Sequence, residues 1–473
     1  MQNDAAFLDN YIQKVYDINK LKLKKTGIKP KMLCITYGCQ ANVHDSEKIS
    51  GLLHKMGYVS CENEEDADII VYNTCCVREN AENRVYGHLG QVKKLKSTNK
   101  DLKIIVCGCM VQQDAVIEKI KESYKFVDVI FGTFNLHRLP ELLYTSMETG
   151  SQVIDIWQDA KEIAEDLPAI REHKFKASVN IMHGCDNFCS YCIVPYVRGR
   201  ERSRTPESIL KEIEDLAKSG VVEVMLLGQN VNSYGKGLEE NISFAGLINR
   251  VAKIDDIKRI RFMTSHPKDF SDELIEAIKD NENICKYVHL PVQSGSTAVL
   301  ERMNRKYTKE SYLELVRKLR EAIPGIAITT DIITGFPYES DIDSDETIDV
   351  IEKVRFSGAF TFLYSKRTGT PAASMDCQVD EEAAKRRFDK ILDALNPIVY
   401  EISKAHVGYT YEVLAEDVSK NDERLLTGRL DDNSIVHFEG DASLIGQFVM
   451  VKIVDCKTFY LIGELANEVE KGI

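Results

Sequence analysis

From residue 31 to about residue 150, short apolar runs alternate with stretches of helical spacing. Runs at 32–37, 68–72 and 102–107 are the length and composition of buried strands. Each is followed by apolar positions at helical intervals, at 46–56, 79–96 and 114–122. Strand and helix in alternation predict a parallel α/β sheet. A second series starts after residue 176. Runs near 178–182, 223–227, 259–263, 287–290, 326–333 and 359–363 give six βα units. Six are too few to close an eightfold barrel, so a partial, open (βα)6 barrel is expected. A long helix near 381–405 ends that region. The tail then changes period. Five short runs near 410–414, 425–430, 434–438, 447–453 and 458–462 predict a small five-stranded β-barrel of the oligonucleotide-binding kind. The fold class is α/β throughout, with that β-barrel as its C-terminal exception.

The rest of the chain sets the boundaries. Residues 1–29 are an amphipathic extension with a basic end (Lys20, Lys22, Lys24, Lys25, Lys29), and 151–176 is a charged linker. The expected domains are therefore 30–147, 171–401 and 404–467, consistent with the roughly three domains that 473 residues suggest. No run approaches the roughly 18 apolar residues of a membrane span, and the N-terminus has no signal-peptide pattern. A cytoplasmic protein is expected. The formal net charge of −13 excludes a uniformly basic nucleic-acid coat but leaves room for local basic patches.

Thirteen cysteines change the picture. An odd number in a large chain without an export signal argues against a disulfide scaffold and for metal or thiol chemistry. Each strand of the first sheet ends in a cysteine-bearing turn: Tyr37-Gly38-Cys39-Gln40, Asn73-Thr74-Cys75-Cys76 and Cys107-Gly108-Cys109-Met110. Equivalent turns of successive α/β units can bring Cys39, Cys75 and Cys109 together. Three unrelated buried thiols are the alternative. The second series opens with Gly184-Cys185-Asp186-Asn187-Phe188-Cys189-Ser190-Tyr191-Cys192. Structural zinc takes four protein ligands. Here Cys185, Cys189 and Cys192 stand without a fourth, which on a four-iron cluster leaves one iron open for a ligand.

The Cys185 triplet resembles that of the radical S-adenosylmethionine (SAM) superfamily. Further sequences narrow the resemblance to the methylthiotransferases: Thr36-Tyr37-Gly38-Cys39-Gln40-Ala41-Asn42, Asn73-Thr74-Cys75, Gly108-Cys109-Met110-Val111-Gln112, and the run from Asn187 to Arg204. Gln40 and Asn42, the run Asn73 to Gly87, and Leu226-Leu227-Gly228-Gln229-Asn230-Val231-Asn232 are similar to the MiaB type. The tail resembles the family's TRAM RNA-binding module. The chain departs from the family pattern twice. Cys76 replaces a usual Ser or Ala, which puts two thiols in one turn, and Tyr338 replaces a usual Gly in Gly335-Phe336-Pro337-Tyr338-Glu339.

The resemblance implies two [4Fe-4S] clusters, a radical cluster on Cys185, Cys189 and Cys192 and an auxiliary one on Cys39, Cys75 and Cys109. It implies two SAM molecules, one a methyl donor and one the source of a 5′-deoxyadenosyl radical that takes hydrogen from adenine C2. The substrate would be isopentenylated adenosine-37 of tRNA, beside the anticodon, and an electron donor such as flavodoxin or ferredoxin would serve a monomeric enzyme. The cofactor carries the hard chemistry, so no side-chain nucleophile is expected. Tyr191, Gln229, Ser265, Gln293 and Glu339 are the candidate SAM contacts, with His289 as a core histidine instead. Arg198, Arg200, Arg202 and Arg204 are either phosphate contacts or a solvated face. Cys107, within its strand, competes with Cys109 for the third ligand position, and Cys34, Cys61, Cys285, Cys377 and Cys456 are assigned to packing. The alternatives are the threonylcarbamoyl-adenosine branch of the family and a non-catalytic iron–sulfur RNA-binding or redox-sensing protein.

Overall fold

The computed structural model describes residues 2–76, 79–158, 167–420 and 422–466. The chain forms two compact units. One comprises Met1–Glu172, His183–Asp186 and Cys192–Arg204; the other comprises His173–Met182, Asn187–Tyr191 and Thr205–Ile473.

The first unit is built on a parallel sheet. Its strands are β1 (Lys31–Tyr37), β2 (Val59–Ser60), β3 (Ile69–Thr74), β4 (Lys103–Gly108), β5 (Val129–Phe131) and β6 (Val153–Asp155). They lie in the order β2-β1-β3-β4-β5-β6. Every residue of β3 is buried, as expected for a central parallel strand covered on both faces. The helices Gln40–Lys55 and Leu139–Thr149 cover one face, and Glu79–Thr98 and Asp114–Ser123 cover the other. The N-terminal extension is the helix Gln2–Thr26. Its Ile12 and Val15 join the core of the first face, and Asn19 donates from Nδ2 to Met56 O at 2.9 Å. Two sequence readings are corrected. Part of the expected linker is strand β6, while 159–166 lies outside the described residues. The second helix begins at Gln40, not near 46, because its first turns bury polar Asn42, His44 and Ser46, which carry no hydrophobic signal.

The second unit holds six further parallel strands: β7 (Lys176–Asn180), β8 (Glu223–Leu227), β9 (Arg259–Phe262), β10 (Tyr287–His289), β11 (Ala327–Thr334) and β12 (Gly358–Leu363). They form two ladders, β9-β8-β7 and β10-β11-β12, with an isolated bridge from Ile260 to Ile284 between them. This is the expected open barrel. The helix Glu381–Ala405 follows, and Phe360, Phe362 and Leu363 of edge strand β12 remain exposed. The C-terminal strands β13 (Thr410–Val418), β14 (Leu425–Arg429), β15 (Ile435–Glu439), β16 (Phe448–Cys456) and β17 (Leu461–Leu465) close in the order β13-β14-β15-β17-β16.

Two buried arginines of β9 tie this small barrel to the large one. Arg259 donates to Arg429 O at 2.8 Å and Glu412 O at 2.9 Å. Arg261 donates to Leu430 O at 2.7 Å, Asp431 O at 2.8 Å and the Glu223 carboxylate at 3.1 Å. No helix among the described residues is long and apolar enough to cross a membrane.

Candidate active site

Strand register fixes the first site. Tyr37 pairs with Thr74, and Thr74 with Gly108, so the last residues of β1, β3 and β4 stand in one row. The chains leave the sheet together, and the three cysteine-bearing turns lie side by side at its carboxyl edge. Gly108 makes the third turn possible. Its φ is +96°, and a Cβ there would lie 2.4 Å from Asn73 Oδ1 and 2.5 Å from Thr74 O. The first turn is braced from beneath. Asn42 Nδ2 donates to Asn73 Oδ1 at 3.1 Å, and Asn73 Nδ2 donates to Asn42 O at 2.8 Å and Ser46 Oγ at 2.9 Å.

Cys39 stands exposed at the N-cap of helix Gln40–Lys55, its thiol donating to Asn42 Oδ1 at 3.3 Å. Cys75, Cys76 and Cys109 are buried. Cys109 clusters with Cys76, Ile193 and Val197. A hydrogen bond from Cys76 holds the Cys109 thiol low, against burial and with help from Arg198, while the same bond and burial raise Cys76. Cys107 points instead into the core shared with Met32, Val71 and Phe131, and burial pushes its thiol well up. That is the behaviour of a packing residue.

Arg198 is where the basic run departs from both sequence readings. It is buried, donating from Nε to Cys109 Sγ at 3.2 Å and from Nη2 to Asp45 Oδ2 at 3.0 Å. Arg204 is buried as well, whereas Arg200 is exposed and paired with Asp186. The four arginines are thus neither a common phosphate comb nor a common solvated face.

The triplet loop follows Gly184, whose φ is +74° and whose Cβ would meet Arg200 O at 2.0 Å. Cys185 N–H donates to Gly199 O at 3.1 Å. In the second unit, Ser190 is held by Met303 O at 2.9 Å and Arg302 O at 2.7 Å. Cys189 is buried and accepts from Arg305 Nη1 at 3.4 Å. Arg305 also donates to Tyr307 Oη at 3.0 Å and Pro291 O at 3.1 Å. The sequence carried no signal for Arg305. Cys185 and Cys192 are half-buried.

The candidate SAM contacts fall at the carboxyl ends of barrel strands or in the loops beyond them, where ligands of parallel barrels bind. Gln229 Oε1 and Ser265 Oγ are buried without a hydrogen-bond partner, and so are both amide atoms of Asn232, Thr334 Oγ1 and Tyr364 Oη. Orphaned polar atoms gathered at strand ends are the signature of a site built for a polar ligand. Asn232, Thr334 and Tyr364 were not singled out from the sequence, where a strand-end position was their only cue. Gln293 is buried at φ +67°, and its N–H donates to Asp331 O at 2.8 Å. Tyr191 packs beside Phe336, Val299 and Met303. Glu339 turns inward. Its carboxylate accepts from Gly335 N–H at 2.9 Å and lies 3.6 Å from Arg387, and burial raises it to about 7. His289 is satisfied by Thr329 Oγ1 at 3.0 Å, as expected of a core histidine. Tyr338 adopts φ +67° with the Arg302 guanidinium 5.3 Å above its ring.

The Radical SAM superfamily matches over residues 179–351, the TRAM domain over 404–466, and the uncharacterized protein family UPF0004 over 31–132. Among solved structures, the radical SAM methyltransferase TsrM from Kitasatospora setae is similar, with a TM-score of 0.53 at 14% identity, over 73% of this chain and 75% of that one. The cobalamin-dependent radical enzyme OxsB gives a TM-score of 0.51 at 15% identity, over 79% of this chain and 57% of that one. These two likenesses concern fold alone. Fold and site together define a radical SAM enzyme carrying an additional cysteine-bearing α/β unit and a TRAM barrel.

Curated relatives narrow this. The tRNA-2-methylthio-N(6)-dimethylallyladenosine synthase of Acetivibrio thermocellus is 54% identical, over 98% of this chain and 97% of that protein. The synthase of the same name from Lachnoclostridium phytofermentans is 55% identical, over 92% and 95%. That of Clostridioides difficile is 51% identical, over 97% and 96%. The chain belongs to the tRNA-2-methylthio-N(6)-dimethylallyladenosine synthase family. SAM and [4Fe-4S] clusters are its cofactors.

The residues fit those groups. The described cysteines are free thiols, one sulfur of each cysteine set accepts from a buried guanidinium, and unpaired polar atoms gather at the barrel's strand ends. Among the described residues no three Cys, His, Asp or Glu side chains converge on one metal ion. A four-iron cluster does not require that, since each thiolate takes a different iron.

Proposed function

We propose that the protein methylthiolates C2 of N6-isopentenyl-adenosine at position 37 of tRNA. The observation that carries the reading is the row of Tyr37, Thr74 and Gly108, which aligns three cysteine-bearing turns at one sheet edge. When bound, the clusters and SAM would supply the sulfur and a 5′-deoxyadenosyl radical.

The chain's own part is to hold and orient. Cys185, Cys189 and Cys192 would bind one cluster and Cys39, Cys75 and Cys109 the other. Three protein thiolates on each leave an iron open. Gln229, Ser265 and Gln293, with Asn232 and Thr334, offer unpaired or turn-held polar groups to SAM, and Tyr191 offers a ring beside the loop. Glu339 acts indirectly, bracing the Gly335–Tyr338 turn from within. The exposed rings of Tyr409 and Phe459 on the small barrel give bases a stacking surface, which suits RNA where acidic residues outnumber basic ones. A flavodoxin or ferredoxin would supply electrons, and the enzyme would act as a cytoplasmic monomer. The names of the relatives support the isopentenyl substrate over threonylcarbamoyl-adenosine and over a non-catalytic sensor.

The test is anaerobic incubation of reconstituted protein with SAM, dithionite and isopentenylated tRNA. Both 5′-deoxyadenosine and the methylthio-nucleoside are expected by mass spectrometry. 5′-Deoxyadenosine with methylthio product only on threonylcarbamoylated tRNA would reassign the substrate, and neither product would support the sensor.

A further inference from the structure

Arg198 has a geometry that neither RNA binding nor simple packing requires. It is 6% exposed, so it cannot meet a phosphate, and two edges of its fork are already engaged. Nε points at Cys109 Sγ, 3.2 Å away, and Nη2 at Asp45 Oδ2, 3.0 Å away. The segment that carries it is fixed by a hydrogen bond from Thr133 Oγ1 to Val197 O at 2.8 Å and by the packing of Ile193 and Val197 on Cys76 and Cys109. Burying a guanidinium is costly unless it faces a negative charge. Asp45 supplies one. The sulfur supplies the other only if Cys109 is a thiolate, which is its state as a cluster ligand.

We infer that Arg198 is a positioning residue that holds the Cys109 thiolate and raises the reduction potential of the cluster bound by the first cysteine set. The inference rests on the proposed assignment of Cys109 as a ligand. Hydrogen bonds to cluster sulfurs and nearby positive charge both favour the reduced, more negative state. Arg198 provides both, and Asp45 offsets part of its charge while fixing its direction. Arg305 makes the corresponding contact with Cys189, so each cysteine set has its own guanidinium.

The test uses full-length protein with Cys185, Cys189 and Cys192 replaced by Ala, reconstituted without oxygen. Iron content and the cluster's midpoint potential are read by an EPR-monitored titration. Arg198→Gln should move the midpoint to more negative potential by at least tenfold in the reduction equilibrium, ~59 mV for one electron. Arg198→Lys, which keeps the charge, should recover most of that shift. Asp45→Asn should move it the opposite way, a pair of signs that general loosening would not produce. An unmoved midpoint in Arg198→Gln at full iron content overturns the inference. If Arg198→Gln takes up no iron, Asp45→Asn decides, and an unmoved or more negative midpoint overturns it. Failure of the ligand assignment looks different: Cys109→Ala would then keep its iron and its spectrum.

Discussion

Cys75 and Cys76 follow one another at the end of β3, and one ligand position is open to them. Register favours Cys75, which follows Thr74 as Cys109 follows Gly108 in the neighbouring strand. Packing favours Cys76, which bonds to Cys109. In protein lacking the Cys185 triplet, Cys75→Ala is expected to lose the remaining roughly four irons of a single cluster, and Cys76→Ala and Cys107→Ala to keep them. Iron retained in Cys75→Ala but lost in Cys76→Ala would transfer the ligand role. At Glu339 the prediction concerns pH. Burial raises the folded-state value to about 7 from an ordinary 4.5, so folding favours the neutral carboxyl. Its stabilising effect is complete below the unfolded value and fades as pH rises through about 7, by at most on the order of 3 kcal/mol. Glu339→Gln should therefore gain melting temperature relative to the parent on going from about pH 5 to about pH 8. A constant difference would show that Arg387, 3.6 Å away, already keeps Glu339 charged.

At the scale of elements, the two periodicities carried most of the fold. Strands β1, β3 and β4 and the six barrel strands were legible as short apolar runs, although those of β12, Phe360, Phe362 and Leu363, stay exposed. Strand β6 has only three residues, half-buried, inside a charged stretch, so its pairing with β5 was not legible. The start of helix Gln40–Lys55 was hidden because its buried face there includes the polar residues Asn42, His44 and Ser46, of which Asn42 and Ser46 brace the turn. The turns themselves were legible through their glycines. Gly108→Ala should cost about 2 kcal/mol or more, because a Cβ would meet β3 backbone and φ is positive. It should also lower iron bound at the first cysteine set. Unchanged stability and iron would mean the third turn tolerates a different path. Tyr338 occupies a left-handed position without being glycine, at about 1–2 kcal/mol, offset by Arg302 stacked on its ring and donating to its carbonyl. Tyr338→Gly should be nearly neutral in melting temperature and Tyr338→Val clearly destabilising. Equal losses in both would place the ring contact above the backbone in importance.

For the whole molecule, the sequence divides more cleanly than the structure does. A change of period near residue 405 reads as a separate C-terminal module, and its five strands do close on themselves. Nothing in that pattern says what Arg259 and Arg261 do, since a charged residue in a strand looks like an exposed one. Both are buried, and their guanidinium groups satisfy backbone carbonyls at Glu412, Arg429, Leu430 and Asp431. Deleting residues after about 407 would strip those acceptors and uncover both guanidinium groups, leaving only the Arg261–Glu223 pair. Hydrogen bonds with a charged donor are worth about 1.5–3 kcal/mol each. The truncated protein should therefore lose thermal stability in its large barrel, and with it SAM cleavage, so truncation alone cannot isolate RNA binding. Point changes can. Tyr409→Ala and Phe459→Ala lie on exposed rings and should leave melting temperature and 5′-deoxyadenosine formation nearly unchanged. If these rings stack on bases, each should weaken tRNA binding by about 1–3 kcal/mol in a filter-binding or anisotropy titration. Undiminished affinity in the double variant would remove these two rings from the RNA surface, leaving the small barrel its role as a buttress for β9.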